Sequence, residues 1–234
     1  NELQKRISHA ENFSTDLVHE IRNPLTSLKS ATEILHETED RAQRSKLINI
    51  LNHDVQRIER LITDYSQMLK DEVALSREKM KRINLKSIAR SVVDDFNNIY
   101  ETKRGIRILL HDRKNQEEYL INGIENRIEQ IIANLLDNSI SFSDDNKKIL
   151  VEILKDEEER IIIKVIDEGK GFKETNTKKI FNRFYSNRPE TFGEHSGLGL
   201  NIVKNLVDLH GATINASNNT TQKGANVEII FPKS

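Results

Sequence analysis

Apolar residues in the first third of the chain recur at helical spacing. Leu3, Ile7, Ala10, Ser14, Leu17, Ile21, Leu25, Leu28, Thr32 and Leu35 follow one another by steps of four and three, a seam broken by one serine and one threonine. The spacing predicts a coiled-coil-like helix of about 35 residues and about 50 Å. After a polar connection, Glu37 to Ser45, the same steps return at Leu47, Leu51, Val55, Ile58, Ile62, Tyr65 and Leu69. Two such helices form an antiparallel hairpin. A lone hairpin buries little surface, so the expected form is a homodimer in which two hairpins make a four-helix bundle.

The pattern changes after Arg77. Asn84 is placed to cap a helix carrying Leu85, Ile88, Ala89, Val92, Val93, Phe96 and Ile99. Beyond it, strand-like runs at 106–111, 149–155, 161–166, 212–217 and 225–231 alternate with helices at 124–142 and 197–210, and 156–160 has the composition of a hairpin turn. This predicts an α+β sandwich, one mixed sheet with helices on one face. The expected division is therefore 1–75 for the hairpin, 76–83 for a linker and 84–234 for the sandwich.

Inside the first helix lies His19-Glu20-Ile21-Arg22-Asn23-Pro24. His19 and Asn23, four apart, share a helix face, with Glu20 about 100° round. Leu17 and Ile21 flank His19 in the seam, so its imidazole is expected to face water. A neutral imidazole is a competent nucleophile towards phosphorus, and a neighbouring carboxylate can accept the ring proton as the bond forms. Pro24 provides no N–H for the Glu20 carbonyl, a defect of about 3 kcal/mol in an ordinary helix, and is expected to bend or loosen this turn. Taken alone, the run reads first as an exposed histidine on a charged face. The zinc-protease pattern needs a second histidine where Asn23 stands, which argues against zinc.

Composition narrows the field. The chain has 234 residues, 36% of them hydrophobic and 31% charged, which suits long half-wet helices beside one compact core. Its net charge of -1 supplies no field to attract nucleic acid or anionic lipid. The absence of cysteine excludes thiol catalysis, disulfides and thiolate metal sites. No apolar run approaches the roughly 20 residues of a membrane helix.

A second constellation stands downstream. Arg127 to Asn138 places Asn134 and Asn138 on one helix face. Asp167-Glu168-Gly169-Lys170-Gly171 closes a strand, Ile180 to Tyr185 brings Phe181 and Phe184, and Gly197-Leu198-Gly199-Leu200 opens a helix. Each glycine pair alone is an ordinary turn or cap signal. In this order, after the His19 helix, the set resembles the sensor histidine kinases of two-component signalling along essentially the whole chain. The stretch from Phe184 to Glu190, with Gly193 and Ser196 to Leu200, is similar to the ChvG/ExoS branch of alphaproteobacterial sensors.

The resemblance implies a dimerisation and histidine-phosphotransfer domain followed by an ATP-binding domain of GHKL (Bergerat) type. ATP and Mg²⁺ are the implied cofactors and a response-regulator receiver domain the implied partner. It makes His19 the phosphoryl acceptor, Glu20 its base and Asn23 the residue that orients water for the reverse, phosphatase reaction. Asn134 and Asn138 line the nucleotide site, Asn138 and its neighbour serving Mg²⁺; Asp167 accepts from the adenine amino group. Gly169 and Gly171 admit the base and hinge a lid, Phe181 and Phe184 anchor that lid or are plain core, and Tyr185, Arg188, Gly197, Leu198 and Gly199 complete the site. The chain then represents the cytoplasmic part of a bacterial inner-membrane sensor. Gyrase-, Hsp90- and MutL-type ATPases carry a water-activating glutamate where Asn134 stands, and an amide is no general base. Two positions depart from the family: Ser141 and Ser186 replace frequent basic residues, leaving Arg183, Arg188, Lys147 and Lys148 as candidate phosphate cations. The alternatives are an ATPase or conformational clamp of the same fold, which would hydrolyse ATP without forming phosphoprotein, and a phosphotransfer scaffold that binds no nucleotide.

Overall fold

A computed structural model describes residues 2–75, 78–112, 118–173, 177–183, 185, 197–219 and 223–233. In the two long helices, side chains are described from Leu17 to Ser66, residue 64 apart. The chain divides into a helical hairpin and an α+β unit, taken separately below.

The hairpin is α1 (Glu2–Glu37) and α2 (Arg41–Leu75). The connection is shorter than the polarity of 37–45 suggests, because Asp40 starts α2 by accepting from the Ala42 N–H at 2.9 Å. Arg44 reaches back to the carbonyls of Leu35 and Thr38, each at 3.0 Å, covering the exposed end of α1.

The seam lies one position away from the expected one at several steps. Leu25, Val55 and Ile62 are 51%, 44% and 50% exposed, while Pro24, Ala31, Leu47, Asp54 and Leu61 are buried. The inward series is Leu17, Ile21, Pro24, Leu28, Ala31, Leu35 on α1 and Leu47, Leu51, Asp54, Ile58, Leu61, Tyr65 on α2, alternating fours and threes throughout. Hydropathy favoured Leu25, Val55 and Ile62; packing selected their neighbours Pro24, Asp54 and Leu61, and Ala31 in place of Thr32. Pro24 does not end the helix, since α1 continues through it, and its ring occupies a seam position.

In the α+β unit, Asn84 caps α3 (Leu85–Arg104) as expected, accepting from the Lys86 N–H at 3.1 Å, and Gly105 closes it at φ 64°. Strands β2 (Arg107–Asp112), β4 (Lys148–Lys155), β5 (Ile161–Asp167), β6 (Thr213–Asn218) and β7 (Ala225–Phe231) form one sheet of order β2-β4-β5-β7-β6. Its β2–β4 pair is parallel and the other pairs antiparallel. Asp156 makes the β4–β5 turn, taking the N–H groups of Glu158 and Arg160 on one oxygen. Helices α4 (Glu125–Phe142) and α5 (Gly199–Leu209) pack side by side, with α3 on the other flank of α4. Ile149, Val151, Ile153, Val165, Val227 and Ile229 meet Ile128, Leu135, Val203 and Val207 in a single core.

The sequence pattern did not disclose a second, two-stranded sheet of β1 (Lys81–Asn84) with β3 (Leu120–Gly123). Four-residue strands, one of them Lys-Arg-Ile-Asn, are too short and polar to carry a period-two signal. Residues 78–83, expected as linker, are therefore part of this unit: Glu78 also accepts from Arg127 Nε at 3.2 Å.

Candidate functional site

On the hairpin, His19 and Asn23 are both exposed on one face, and Glu20, turned about 100° from His19 towards α2, is half-buried. Glu20 is not a free carboxylate. Its Oε2 accepts from Arg57 Nη2 of α2 at 3.0 Å, a contact that sequence reasoning missed because nothing local links residues 37 apart.

In the α+β unit, α4 divides its faces sharply. Ile131, Ile132, Leu135, Leu136 and Ser139 are buried, while Asn134 and Asn138, one turn apart, remain half-open. Gly199, the first residue of α5, stands opposite these amides: a Cβ there would lie 3.7 Å from Asn134 Oδ1 and 3.8 Å from Asn138 Nδ2. Any larger side chain would fill the space between the two helices. Gly197 has φ 71°, which swings the chain into α5, and Leu198 precedes the helix without a side-chain cap. The first N–H groups of α5 thus face the cleft beside the two amides, a suitable place for anionic oxygens. Leu198 itself is fully buried and its carbonyl accepts from the Ile202 N–H at 2.8 Å, so its side chain packs the start of α5 instead of lining the site.

Asp167 ends β5 and is 5% exposed. Its Oδ1 accepts the N–H groups of Gly169 at 2.9 Å and Ala225 at 3.0 Å, and the Ser139 hydroxyl bonds to the same carboxylate. Burial pushes its carboxyl above the usual carboxylate range, against the opposing pull of these donors. A carboxylate offers about four lone-pair positions, so capacity remains for an external N–H. Ser139 and Ala225 were not legible as site residues: one sits on the buried face of α4, the other nearly 60 positions from Asp167.

The glycines after Asp167 serve the protein's own packing. A Cβ on Gly169 would meet the Phe142 carbonyl at 2.5 Å, and one on Gly171, at φ 74°, would meet Asn218 Oδ1 at 2.7 Å. Their bare faces are turned to the end of α4 and to β6, rather than outward to admit a base. Asn218 holds the turn by exchanging two hydrogen bonds with the Phe172 main chain.

The expected phosphate cations fare differently. Lys147 and Lys148 lie at the Asp167 end of the site: Ile149 pairs with Asp167, and Lys148 N–H donates to Glu168. Ser141 turns inward, donating to the Asp137 carbonyl at 2.6 Å, so its position presents nothing to the cleft. Arg183 follows a short 3-10 turn, Thr177–Phe181, whose last carbonyl accepts from Asn201 of α5 at 2.9 Å. In that turn Ile180, not Phe181, is the buried anchor. Tyr185 is half-buried; Phe184, Ser186 and Arg188 lie outside the described residues.

At the far ends of the two helices, His210 joins them. Its Nδ1 bonds to the Leu206 carbonyl at 2.7 Å and its Nε2 accepts from the Ile124 N–H at 3.1 Å. Burial holds the imidazole below its ordinary pKa, which keeps Nε2 available as the acceptor.

Residues 10–74 match the family described as the His Kinase A (phospho-acceptor) domain, and residues 123–234 the histidine kinase-, DNA gyrase B-, and HSP90-like ATPase. The chain is 36% identical over 222 residues to Sensor protein ChvG of Rhizobium meliloti, covering 92% of this chain and 38% of that protein. To ChvG of Agrobacterium fabrum it is again 36% identical, covering 92% of this chain and 37% of the relative. The chain thus spans less than two-fifths of the length of these relatives. Among solved structures, histidine kinase ThkA in complex with response regulator TrrA aligns with a TM-score of 0.68 at 24% identity, over 99% of this chain and 64% of that one; this likeness speaks for the fold. The chain belongs to the sensor histidine kinases, of the ChvG/ExoS-like kind, and joins their phospho-acceptor module to their ATPase-fold module.

Proposed function

We propose that the chain phosphorylates itself on His19 from ATP and passes the phosphoryl group to an aspartate of a response-regulator receiver domain. The observation that carries this reading is the pairing, in one chain, of an exposed His19 beside a half-buried Glu20 with a cleft where two amides of α4 face the bare start of α5. The cleft offers amide oxygens and main-chain N–H groups, and no general base at Asn134 with which to activate water.

Asp167 would take the adenine amino N–H, and the α5 N-terminus would receive phosphate oxygens. The amide oxygens of Asn138 and Asn134 suit Mg²⁺, a hard cation that needs only one or two protein oxygens when phosphates supply others; bound there it would neutralise phosphate charge. The imidazole nitrogen of His19 attacks the γ-phosphorus, the bond to the ADP oxygen breaks, and Glu20 receives the proton from the other ring nitrogen. Catalysis in such transfers is mostly positioning and charge neutralisation. The test is incubation with γ-labelled ATP: the label should become protein-bound, acid-labile and stable to alkali. Rapid hydrolysis with no phosphoprotein would establish the clamp-like ATPase instead.

Asn23, exposed one turn after His19, would orient water against the regulator's phosphoaspartate. Asn23→Ala should retain autophosphorylation within about twofold and lose most phosphatase activity, read as the decay of labelled regulator. Undiminished decay would remove Asn23 from that role.

The hairpin's outer surface supports a homodimer. Val18 and Leu25 on α1, and Ile48, Val55 and Ile62 on α2, are exposed at intervals of seven, a second apolar stripe suited to another hairpin. Val55→Glu with Ile62→Glu should halve the mass seen by sedimentation without loss of helical signal.

Among the described residues no helix is long and apolar enough to cross a membrane. The length of the ChvG relatives supports a membrane-anchored parent sensor whose cytoplasmic portion this chain represents.

A further inference from the structure

Among the described residues, Asp54 is the one charged residue in the inward seam of the hairpin. It is 7% exposed, and its Oδ2 is buried with no hydrogen-bond partner among the described residues; Oδ1 lies 3.6 Å from the imidazole of the adjacent His53. A buried carboxylate left in this state is destabilising, so its presence in an otherwise apolar series calls for a cation.

Arg57 lies three residues on along α2, a spacing at which helical Asp and Arg side chains meet, and its guanidinium, unlike the His53 imidazole, is charged at any working pH. In this structure Arg57 is bonded to Glu20 at 3.0 Å. That ion pair also fixes the antiparallel register: Asp54, one turn before Arg57, lies level with Asn23 and Pro24, one turn after Glu20. At Pro24 the Glu20 carbonyl has lost its i+4 donor, so the turn carrying Glu20 is held by one main-chain bond fewer than its neighbours.

We propose that Arg57 alternates between Glu20 and Asp54, and that Asp54, as a positioning residue, thereby sets when Glu20 is free to take the proton of His19. The proposal rests on the reading of His19 as nucleophile and Glu20 as base. A guanidinium on Glu20 occupies one of its oxygens and tethers the carboxylate to α2. With Arg57 turned inward, the Asp54 carboxylate gains the partner it lacks and both Glu20 oxygens become available to the imidazole N–H. The device would couple small changes in packing of the hairpin, at a seam position, to the competence of the base beside the nucleophile.

The test is a cycle of Asp54→Asn, Arg57→Gln and the double variant in the whole chain, with autophosphorylation measured across ATP concentration. Asp54→Asn removes the competing charge with little change of shape. It should lower kcat about five- to tenfold, with KM for ATP unchanged, because Arg57 then stays on Glu20. Arg57→Gln should run at or above the wild-type kcat, and the double variant should match Arg57→Gln. A wild-type kcat in Asp54→Asn, or a double variant as slow as Asp54→Asn, overturns the proposal. Should Asp54→Asn melt well below the wild type, Arg57→Gln alone carries the test, and a fall in its kcat overturns it. Glu20→Gln separates the two levels. Full activity there overturns the base reading itself, whereas loss there with a wild-type rate in Asp54→Asn overturns only the alternation.

Discussion

His19→Gln should incorporate no acid-labile phosphate above background, while its affinity for nucleotide stays within about twofold of the wild type. The amide keeps the bulk and polarity of the side chain but has no lone pair basic enough to attack phosphorus. His19 lies on an exposed stretch of α1, so the replacement removes no core contact, and surface substitutions of this kind change stability by roughly 0.5 kcal/mol or less. The nucleotide groups belong to a different unit of the chain. Loss of label with retained binding, by titration of a fluorescent ATP analogue, therefore isolates the chemical step. Persistence of acid-labile label would place the acceptor elsewhere.

Replacement of Asp167 should separate folding from nucleotide binding according to the residue introduced. Asp167→Ala leaves the N–H groups of Gly169 and Ala225 without their buried acceptor, which costs about 2–4 kcal/mol, or roughly 5–15 °C in Tm. Asp167→Asn can keep its amide oxygen on those two donors, so the fold should survive. Its NH₂ then stands where the second carboxylate oxygen was and presents a donor to the adenine amino group. A hydrogen bond to a charged group contributes about 1.5–3 kcal/mol, so ATP affinity should fall by about ten- to a hundredfold in both variants. Wild-type affinity in Asp167→Asn would exclude the adenine contact. The pH dependence has a definite sign. Because the folded-state carboxyl is raised, its protonated form is favoured by folding, and that contribution is present below the unfolded value near 3.9 and lost as pH rises through the folded one. The Asp167→Asn variant lacks this titration. Its stability relative to wild type should therefore rise between acid and neutral pH, which paired urea titrations at several pH values would measure.

The reaction mechanism and the packing make different demands at adjacent positions of α1. In the proposed reaction His19 and Asn23 need water and a visiting partner, and both are exposed, whereas Pro24 lies in the seam and Glu20 is tethered to the second helix. One helical turn thus carries the proposed nucleophile, exposed, the proposed base, restrained by an ion pair, and a main-chain defect. The same economy holds in α4, where the residues beside Asn134 and Asn138 build the core, and Ser139 on the buried face reaches Asp167.

Much of this architecture was legible in the order of residues. Helical period, caps such as Asn84, the Asp156 turn and strands of alternating burial depend on neighbours a few positions apart, and physical chemistry at that range is written locally. The two asparagines of α4 and the glycines opening α5 were legible for the same reason: their spacing alone sets which way they face. Tertiary structure decided what spacing could not. It selected Pro24, Asp54 and Leu61 over Leu25, Val55 and Ile62 for the hairpin seam, because close packing responds to volume and register as well as to hydropathy. It brought Arg57 to Glu20, Ala225 to Asp167, and Gly199 across from Asn134 and Asn138, contacts between residues dozens of positions apart. It turned Gly169 towards the Phe142 carbonyl and Gly171 towards the Asn218 side chain, and made a strand of Lys81–Asn84, whose four residues declare nothing without β3 beside them. Side-chain chemistry is thus a local property of the sequence, but the partners that restrain, desolvate or release each group are set only when distant segments close on one another.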